Sequence, residues 1–142
     1  MAVSTSVYDS LNRRIATVDP LGRRTTASYD AADNVVSTMD ATGAITTFIY
    51  STCLLQAVVD PLGNRTSMTY DGRYSNKLTQ TDALNNVTSW EYDEAGFLTD
   101  VVDALGKRST LIYNTARQKI ADQDQLGFLT TYGFDNTGRL ER

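Results

Sequence analysis

The candidate chemistry of this 142-residue chain rests on carboxylates, because the other catalytic side chains are scarce. The sequence contains 17 Asp and Glu residues, no His and a single Cys, Cys53. Without histidine, Ser-His-Asp catalysis, Cys-His catalysis and histidine metal sites are excluded, and a lone cysteine forms neither an internal disulfide nor a zinc site. Carboxylates can still do acid–base work or hold Ca²⁺, but their spacing singles out no catalytic pair. We therefore expect no enzymatic activity, no cofactor and no metal.

The aspartates recur with a fixed period. Six of them begin Asp-x-x-Gly segments, in which Asn replaces Gly once. Asp accepts backbone hydrogen bonds within a turn, and Gly or Asn supplies its positive-φ position. The pattern predicts a three-residue hairpin loop at each site rather than a calcium site, because neighbouring members lie too far apart to share an ion. The predicted turn residues are Asp19, Gly22, Asp40, Gly43, Asp60, Gly63, Asp82, Asn85, Asp103, Gly106, Asp124 and Gly127.

A column of aromatic residues accompanies these turns at spacings of 20 to 22 residues. Around it the sequence alternates with period two, so that Thr46, Phe48 and Tyr50 share one face of a strand and Thr47 and Ile49 the other. We interpret the column as cross-strand packing that holds the register. A stack of aromatic rings that binds sugars is the alternative. Hairpin repeats that bind ligands in this way depend on Trp, however, and the chain has only one. The column consists of Tyr8, Tyr29, Tyr50, Tyr70, Tyr92, Tyr113 and Phe134.

These residues must be positioned by β-hairpins. The distance from each turn Asp to the next aromatic is 10 residues in all six cases, so the length varies only in the other arm, with an extra residue within 71–76. One hairpin per repeat gives about twelve antiparallel strands, which we expect to form a curved, open strip or a partial shell. Leu54 and Arg117 break the pattern of the second turn, and the return strands do not reveal both of their faces. No helix is predicted.

The composition favours one globular domain over residues 1–142. Hydrophobic residues make up 41% of the chain, the net charge is −4 and the pI is about 4.7. The sequence has no basic stripe for nucleic acid, no apolar run of 18 residues and no signal peptide. We expect the three basic pairs, at 13–14, 23–24 and 107–108, to oppose strand pairing rather than to bind phosphate.

Four segments resemble the Rhs or YD-repeat family. They are 92–98 (YDEAGFL), 134–140 (FDNTGRL), 19–25 (DPLGRRT) and 60–66 (DPLGNRT). The family includes bacterial Rhs polymorphic toxins, shell components of insecticidal toxin complexes, and teneurins. The resemblance implies a strip of β-hairpins that spirals into a hollow shell, which in the bacterial toxins encloses a toxic C-terminal segment.

The resemblance implies that this chain is a structural segment of the shell of a larger, secreted or cell-surface, toxin-type protein. Its implied partners are the rest of that protein, including an encapsulated toxin segment, or further copies that join through sheet edges. A glycan-binding or protein-binding module is the alternative, and a hydrolase is the weakest one. The chain begins and stops in mid-repeat, so we expect a fragment. Arg23 and Asn64 follow the two Asp-Pro-Leu-Gly turns where the self-cleavage motif of the family has Leu, so we expect no self-cleavage.

Overall fold

A computed structural model describes residues 3–135 and 137–141. Asn136 in the last predicted turn and Arg142 in the final half-repeat lie outside the described residues. The first seven strands are β1 (Thr5–Tyr8), β2 (Arg14–Val18), β3 (Arg24–Tyr29), β4 (Val35–Met39), β5 (Ile45–Ser51), β6 (Leu54–Val59) and β7 (Arg65–Tyr70). The others are β8 (Lys77–Thr81), β9 (Val87–Tyr92), β10 (Leu98–Val102), β11 (Arg108–Tyr113), β12 (Lys119–Gln123), β13 (Leu129–Thr131), β14 (Gly133–Phe134) and β15 (Leu140–Glu141).

The strands β1 to β13 form one antiparallel sheet in chain order, and β14 pairs with β15 in a second sheet. Within the described ranges there is no helix, and no pairing joins β1 to β13, so the large sheet is open. The prediction of an all-β hairpin fold is therefore confirmed. The chain divides into two compact units, Met1–Met68 and Thr69–Arg142. A single array over residues 1–142 stays a prediction.

Bulges explain why the faces of the return strands are hidden in the sequence. In the first unit, Ser28 pairs with Ser37 but Tyr29 pairs with Val35, so one extra residue stands opposite the aromatic. The same register shift occurs beside Tyr8, Tyr50, Tyr92 and Tyr113. A bulge places two residues opposite one and interrupts the period of two. The return strands β2, β4, β6, β10 and β12 therefore change their alternation near the start.

The most buried side chains are small ones at the centres of return strands. Ala16 and Ala57 of the first unit are 2% and 0% exposed, and Ala121 of the second unit is 5% exposed. Ala57 lies between Ile49 of β5 and Ser67 of β7. Most other strand residues are half-buried. Packing between neighbours on adjacent strands thus supplies most of the burial within each unit.

The last predicted strand differs from the expectation. The sequence pattern continues from Thr130 to Phe134, but β13 ends at Thr131 and β14 begins at Gly133 in the other sheet. Between them the Tyr132 N–H donates to the Ile120 carbonyl at 2.8 Å. Gly133 has no side chain to pack within a strand and adds backbone freedom, which explains the interruption.

The turn near Leu54 is shorter than its counterparts. Ser51 pairs with Leu54, which leaves Thr52 and Cys53 as a two-residue loop, and Thr52 has φ +59°. A β-branched residue is strained at positive φ. Replacing Thr52 with Gly should therefore raise the free energy of unfolding by about 1 kcal/mol, measured by urea denaturation. Asn12→Gly is the matched control, because Asn12 tolerates its φ of +62° and should gain less. A Thr52→Gly variant no more stable than the wild type would contradict this account.

Candidate functional site

The turn carboxylates make the same set of hydrogen bonds in successive hairpins. At Asp82, the backbone N–H donates to the Asn86 carbonyl at 3.0 Å, and Asn85 N–H donates to the Asp82 carbonyl at 3.1 Å. The Asp82 Oδ1 accepts from the Leu84 N–H at 2.8 Å and from the Asn86 N–H at 2.9 Å. The same Oδ1 contacts to the second and fourth following amides occur at Asp19, Asp40, Asp60, Asp103 and Asp124.

The backbone at these turns has the conformation that the sequence pattern requires. The fourth residue has positive φ in every one of them, including Asn85 with φ +65°. The glycines at this position are Gly22, Gly43, Gly63, Gly106 and Gly127. The turns that follow the aromatic column also place a residue at positive φ. It is the fourth residue in five of them, namely Asn12, Asp33, Gly96, Arg117 and Gly138, and the fifth, Ser75, in the turn with the extra residue. Arg117, which breaks the sequence pattern, therefore adopts the φ of the residue that it replaces.

The second carboxylate oxygen often binds the side chain four residues later, a contact that the sequence analysis missed. The Arg23 Nε donates to Asp19 Oδ2 at 2.6 Å, and the Asn86 Nδ2 donates to Asp82 Oδ2 at 2.8 Å. Asn64 does the same for Asp60 at 2.7 Å. These side-chain hydrogen bonds are the main reason that the pKa values of the three aspartates are lowered. An Arg or Asn directly after the turn Gly or Asn is the sequence signal for the contact.

Two tyrosines of the aromatic column connect the open ends of the two strands of their own hairpin. The Tyr29 hydroxyl donates to the Arg14 carbonyl at 2.9 Å, and the Tyr92 hydroxyl donates to the Lys77 carbonyl at 3.0 Å. In both cases the acceptor lies at the start of a return strand, 15 residues earlier. The ring of Tyr113 meets Phe97 edge-on, with centroids 5.7 Å apart.

The other members of the column vary in exposure. Tyr50, Tyr70 and Phe134 are half-buried in their strands. Tyr8, in the first strand of the first unit, is 54% exposed.

Two further aromatic rings each have a lysine over one face, a contact that the sequence pattern did not predict. The Lys77 Nζ lies 3.9 Å from the Trp90 ring centroid and also donates to the Gln80 Oε1 at 3.0 Å. The same arrangement recurs two repeats later, where the Lys119 Nζ lies 4.9 Å from the Tyr132 centroid. In both pairs the lysine precedes the ring by 13 residues. The single Trp of the chain therefore has one face occupied by an ammonium group instead of being open to a sugar.

Members of the basic pairs bind carboxylates of their own unit. In the second unit, the guanidinium of Arg108 binds both carboxylate oxygens of Glu91 at 2.7 and 2.8 Å and reaches Asp100 at 3.1 Å. In the first unit, Arg13 contacts Asp9 and Asp33, both at 2.7 Å. The Arg108–Glu91 pair is about half exposed, and exposed pairs of this kind stabilise only weakly, whereas Arg13 and Asp9 are mostly covered.

The thiol of Cys53 is exposed in its short turn. Among the described residues, no group of three metal-ligating side chains is close enough to hold a metal ion. The segments that the structure describes also contain no helix long and apolar enough to cross a membrane.

Hairpins of about 21 residues, with Asp-capped turns and tyrosines that bind the partner strand, define a β-hairpin repeat protein. Residues 8–45 and 75–108, just over half of the chain, match the family model described as RHS Repeat. The chain belongs to the RHS repeat family.

Solved structures similar to the chain include three toxin-complex structures. The crystal structure of TcdB2-TccC3-TEV matches with a TM-score of 0.47 and 17% identity, over 96% of this chain and 10% of that chain. TcdB2-TccC3 without its hypervariable C-terminal region matches with a TM-score of 0.40 and 17% identity, over 96% and 11%. The Tc holotoxin pore of Photorhabdus luminescens matches with a TM-score of 0.37 and 17% identity, over 96% and 11%. The chain spans about a tenth of the length of these chains. No curated protein matches its sequence.

Proposed function

We propose that the chain is a structural segment of a larger Rhs/YD-repeat protein of the toxin type, in which its hairpins form part of the wall of a β-shell. One observation carries the proposal: the polar atoms of the repeating residues are used within the repeat. The Asp82 carboxylate caps its own turn, and the Tyr92 hydroxyl at the end of β9 binds the start of the partner strand β8 in the same hairpin. Side chains used in this way position strands rather than substrates.

The membership in the RHS repeat family supports the same role. The partners in this proposal are the remaining hairpins of the parent protein and an enclosed toxin segment. The outer edges of β1 and β13 are the places where further hairpins of the parent would pair, because the order of the large sheet ends at these strands. We further propose that the chain has no hydrolytic or self-cleaving activity of its own.

A binding module is the second candidate, and the exposure of some rings favours it. Phe128 is 70% exposed and Tyr74 is 45% exposed. Exposed aromatic rings can stack on sugars or pack against another protein. A glycan array with the purified chain distinguishes the candidates: a structural segment leaves the array empty, whereas a binding module gives specific signals that disappear when the exposed rings are removed.

Measuring the free energy of unfolding also tests the structural role. Replacing Tyr92 with Phe removes only the hydroxyl that binds the Lys77 carbonyl and should lower the free energy of unfolding by about 1 kcal/mol. Tyr8→Phe is the matched control, because Tyr8 is 54% exposed and should change stability by less than about 0.5 kcal/mol. Urea denaturation measures both. An unchanged stability for Tyr92→Phe, together with sugar binding on the array, would contradict the structural proposal.

A further inference from the structure

The third residue of most Asp-x-x-Gly turns is a strongly exposed leucine. In the unit Thr69–Arg142, Leu84 and Leu105 are both 81% exposed and Leu126 is 76% exposed. In the unit Met1–Met68, Leu21 and Leu62 hold the same turn position and are 78% and 87% exposed. A leucine so exposed at one position of successive turns is a repeated feature of the surface rather than an isolated exposure.

In the second unit these leucines lie along one edge of the sheet. Leu84, Leu105 and Leu126 belong to the turns β8–β9, β10–β11 and β12–β13, and each turn follows a return strand. Successive hairpins are two strand spacings apart, so the leucines recur about every 10 Å. Phe128, which ends the last of these turns, is 70% exposed and enlarges the apolar tip. We call Leu84, Leu105, Leu126 and Phe128 the leucine edge.

The opposite edge of the same unit has different chemistry. Its turns expose Arg73, Glu94 and Arg117, which are charged. The row of leucines therefore follows one edge only, although one ring, Tyr74, is 45% exposed on the other. Two units that meet through their leucine-bearing edges would bring leucine against leucine.

The backbone N–H groups of the three leucines already have hydrogen-bond partners within their own turns. The N–H groups of Leu84, Leu105 and Leu126 donate to the turn carboxylates at 2.8, 2.9 and 2.9 Å. Burial of these tips against an apolar partner leaves these amides satisfied, so it avoids the cost of an unpaired buried donor.

We propose that the leucine edge binds the leucine edge of a second copy of this chain. With three equally spaced leucines, an antiparallel approach places Leu105 against Leu105 on a two-fold axis and Leu84 against Leu126. A partner must repeat every 10 Å or so to meet all three tips, and a second copy does so by construction. This inference does not depend on the proposed shell role, since it concerns the turn edge and not the outer strands.

The area of the leucine edge sets the strength of the dimer. A buried leucine removes about 100 Å² of apolar surface from water and a phenylalanine about 150 Å² or more. The four residues together provide roughly 450 Å² per copy, below the about 800 Å² per partner of a standard interface. The expected dimer is therefore weak, with a Kd on the order of 100 μM.

Sedimentation velocity across a concentration series, from about 10 μM to 1 mM so as to bracket that Kd, tests the proposal. The wild-type chain should shift from monomer to dimer. Leu105→Glu, in which both copies place a charge on the axis, should weaken dimerisation by about 100-fold. Ala116→Glu is the matched control, because it adds the same charge to an exposed turn of the opposite edge and should leave the Kd unchanged within about twofold. Circular dichroism confirms that both variants are folded.

Three results would overturn the proposal. They are a wild-type chain that stays monomeric at every concentration, a Leu105→Glu variant that associates as tightly as the wild type, and an Ala116→Glu variant that weakens association equally. The second result would assign association to the outer strands or to a sheet face. None of the three bears on the shell role, which glycan binding and the Tyr92→Phe measurement test separately.

Discussion

Acidification below about pH 4 should unfold the chain, with little change in stability between pH 5 and 8. The turn aspartates accept these hydrogen bonds fully only when they are ionised, and in the folded chain the pKa values of Asp82 and Asp103 lie below their ordinary value. The hydrogen bond from the Asn86 side chain is the main reason that the pKa of Asp82 is lowered. The hydrogen bond from the Lys107 backbone N–H is the main reason at Asp103. The pKa is also lowered at Asp9, Asp19, Asp30, Asp40, Asp60, Asp71 and Asp135.

The direction follows from proton linkage. A carboxyl whose folded pKa lies below its unfolded value contributes stability that is fully present above the unfolded pKa. That contribution is lost as the pH falls from about 4 through the lowered folded pKa. The chain has no histidine, so no side chain with an ordinary pKa between 5 and 8 opposes this pattern. Thermal unfolding followed by circular dichroism from pH 7 to pH 2 measures the effect.

Asp82→Asn provides the matched variant for the acid prediction. Asparagine keeps a side-chain oxygen that can accept the same amides, as Asn114 does when its Oδ1 accepts from the Gln118 N–H at 3.0 Å. The variant lacks the stability that the ionised form of Asp82 contributes, so it should melt below the wild-type temperature at pH 7, lose less stability on acidification and approach the wild type near pH 2. A melting temperature that stays constant from pH 7 to pH 3 in the wild type would contradict the role of the turn carboxylates.

Replacing Trp90 with Ala should lower the free energy of unfolding by about 3 kcal/mol. The change removes the largest half-buried ring of the second unit, and it also removes the cation–π contact with Lys77 at 3.9 Å. Urea denaturation followed by far-UV circular dichroism measures the loss, since the variant has no tryptophan fluorescence.

Leu84→Ala is the control for the Trp90 variant. It also shortens a large apolar side chain, but Leu84 is 81% exposed and the change should stay within about 0.5 kcal/mol. Equal stabilities of Trp90→Ala and the wild type would mean that the ring is free for a ligand, and would favour the binding module.

The turns were the most predictable part of the fold, because their chemistry is local. An aspartate followed three residues later by Gly or Asn specifies both the acceptor and the positive φ, and Asn85 with φ +65° shows that the exception follows the same rule. The loop at Thr52 and Cys53 was not predictable in this way. Its two-residue form depends on the pairing of Ser51 with Leu54, and Thr is an unfavourable residue at positive φ.

Contacts between paired strands were not predictable, because they depend on the register. The pairing of β2 with β3 brings the Tyr29 hydroxyl to the Arg14 carbonyl, and a period of two gives no sign of it. The Lys77–Trp90 contact likewise requires the pairing of β8 with β9. The division of the last predicted strand at Gly133 is a third case, in which one residue without a side chain outweighs a regular pattern.

Amide hydrogen exchange resolved by NMR tests most directly the claim that the repeated residues hold a series of equivalent hairpins. The N–H groups of Asp40, Asp60, Asp82 and Asp103 each donate to the carbonyl four residues later, at 2.9 to 3.0 Å. We expect these four amides to exchange slowly and with similar protection in every hairpin, and to lose that protection together on acidification. Turn amides that exchange at unprotected rates, or protection confined to a single hairpin, would contradict the account.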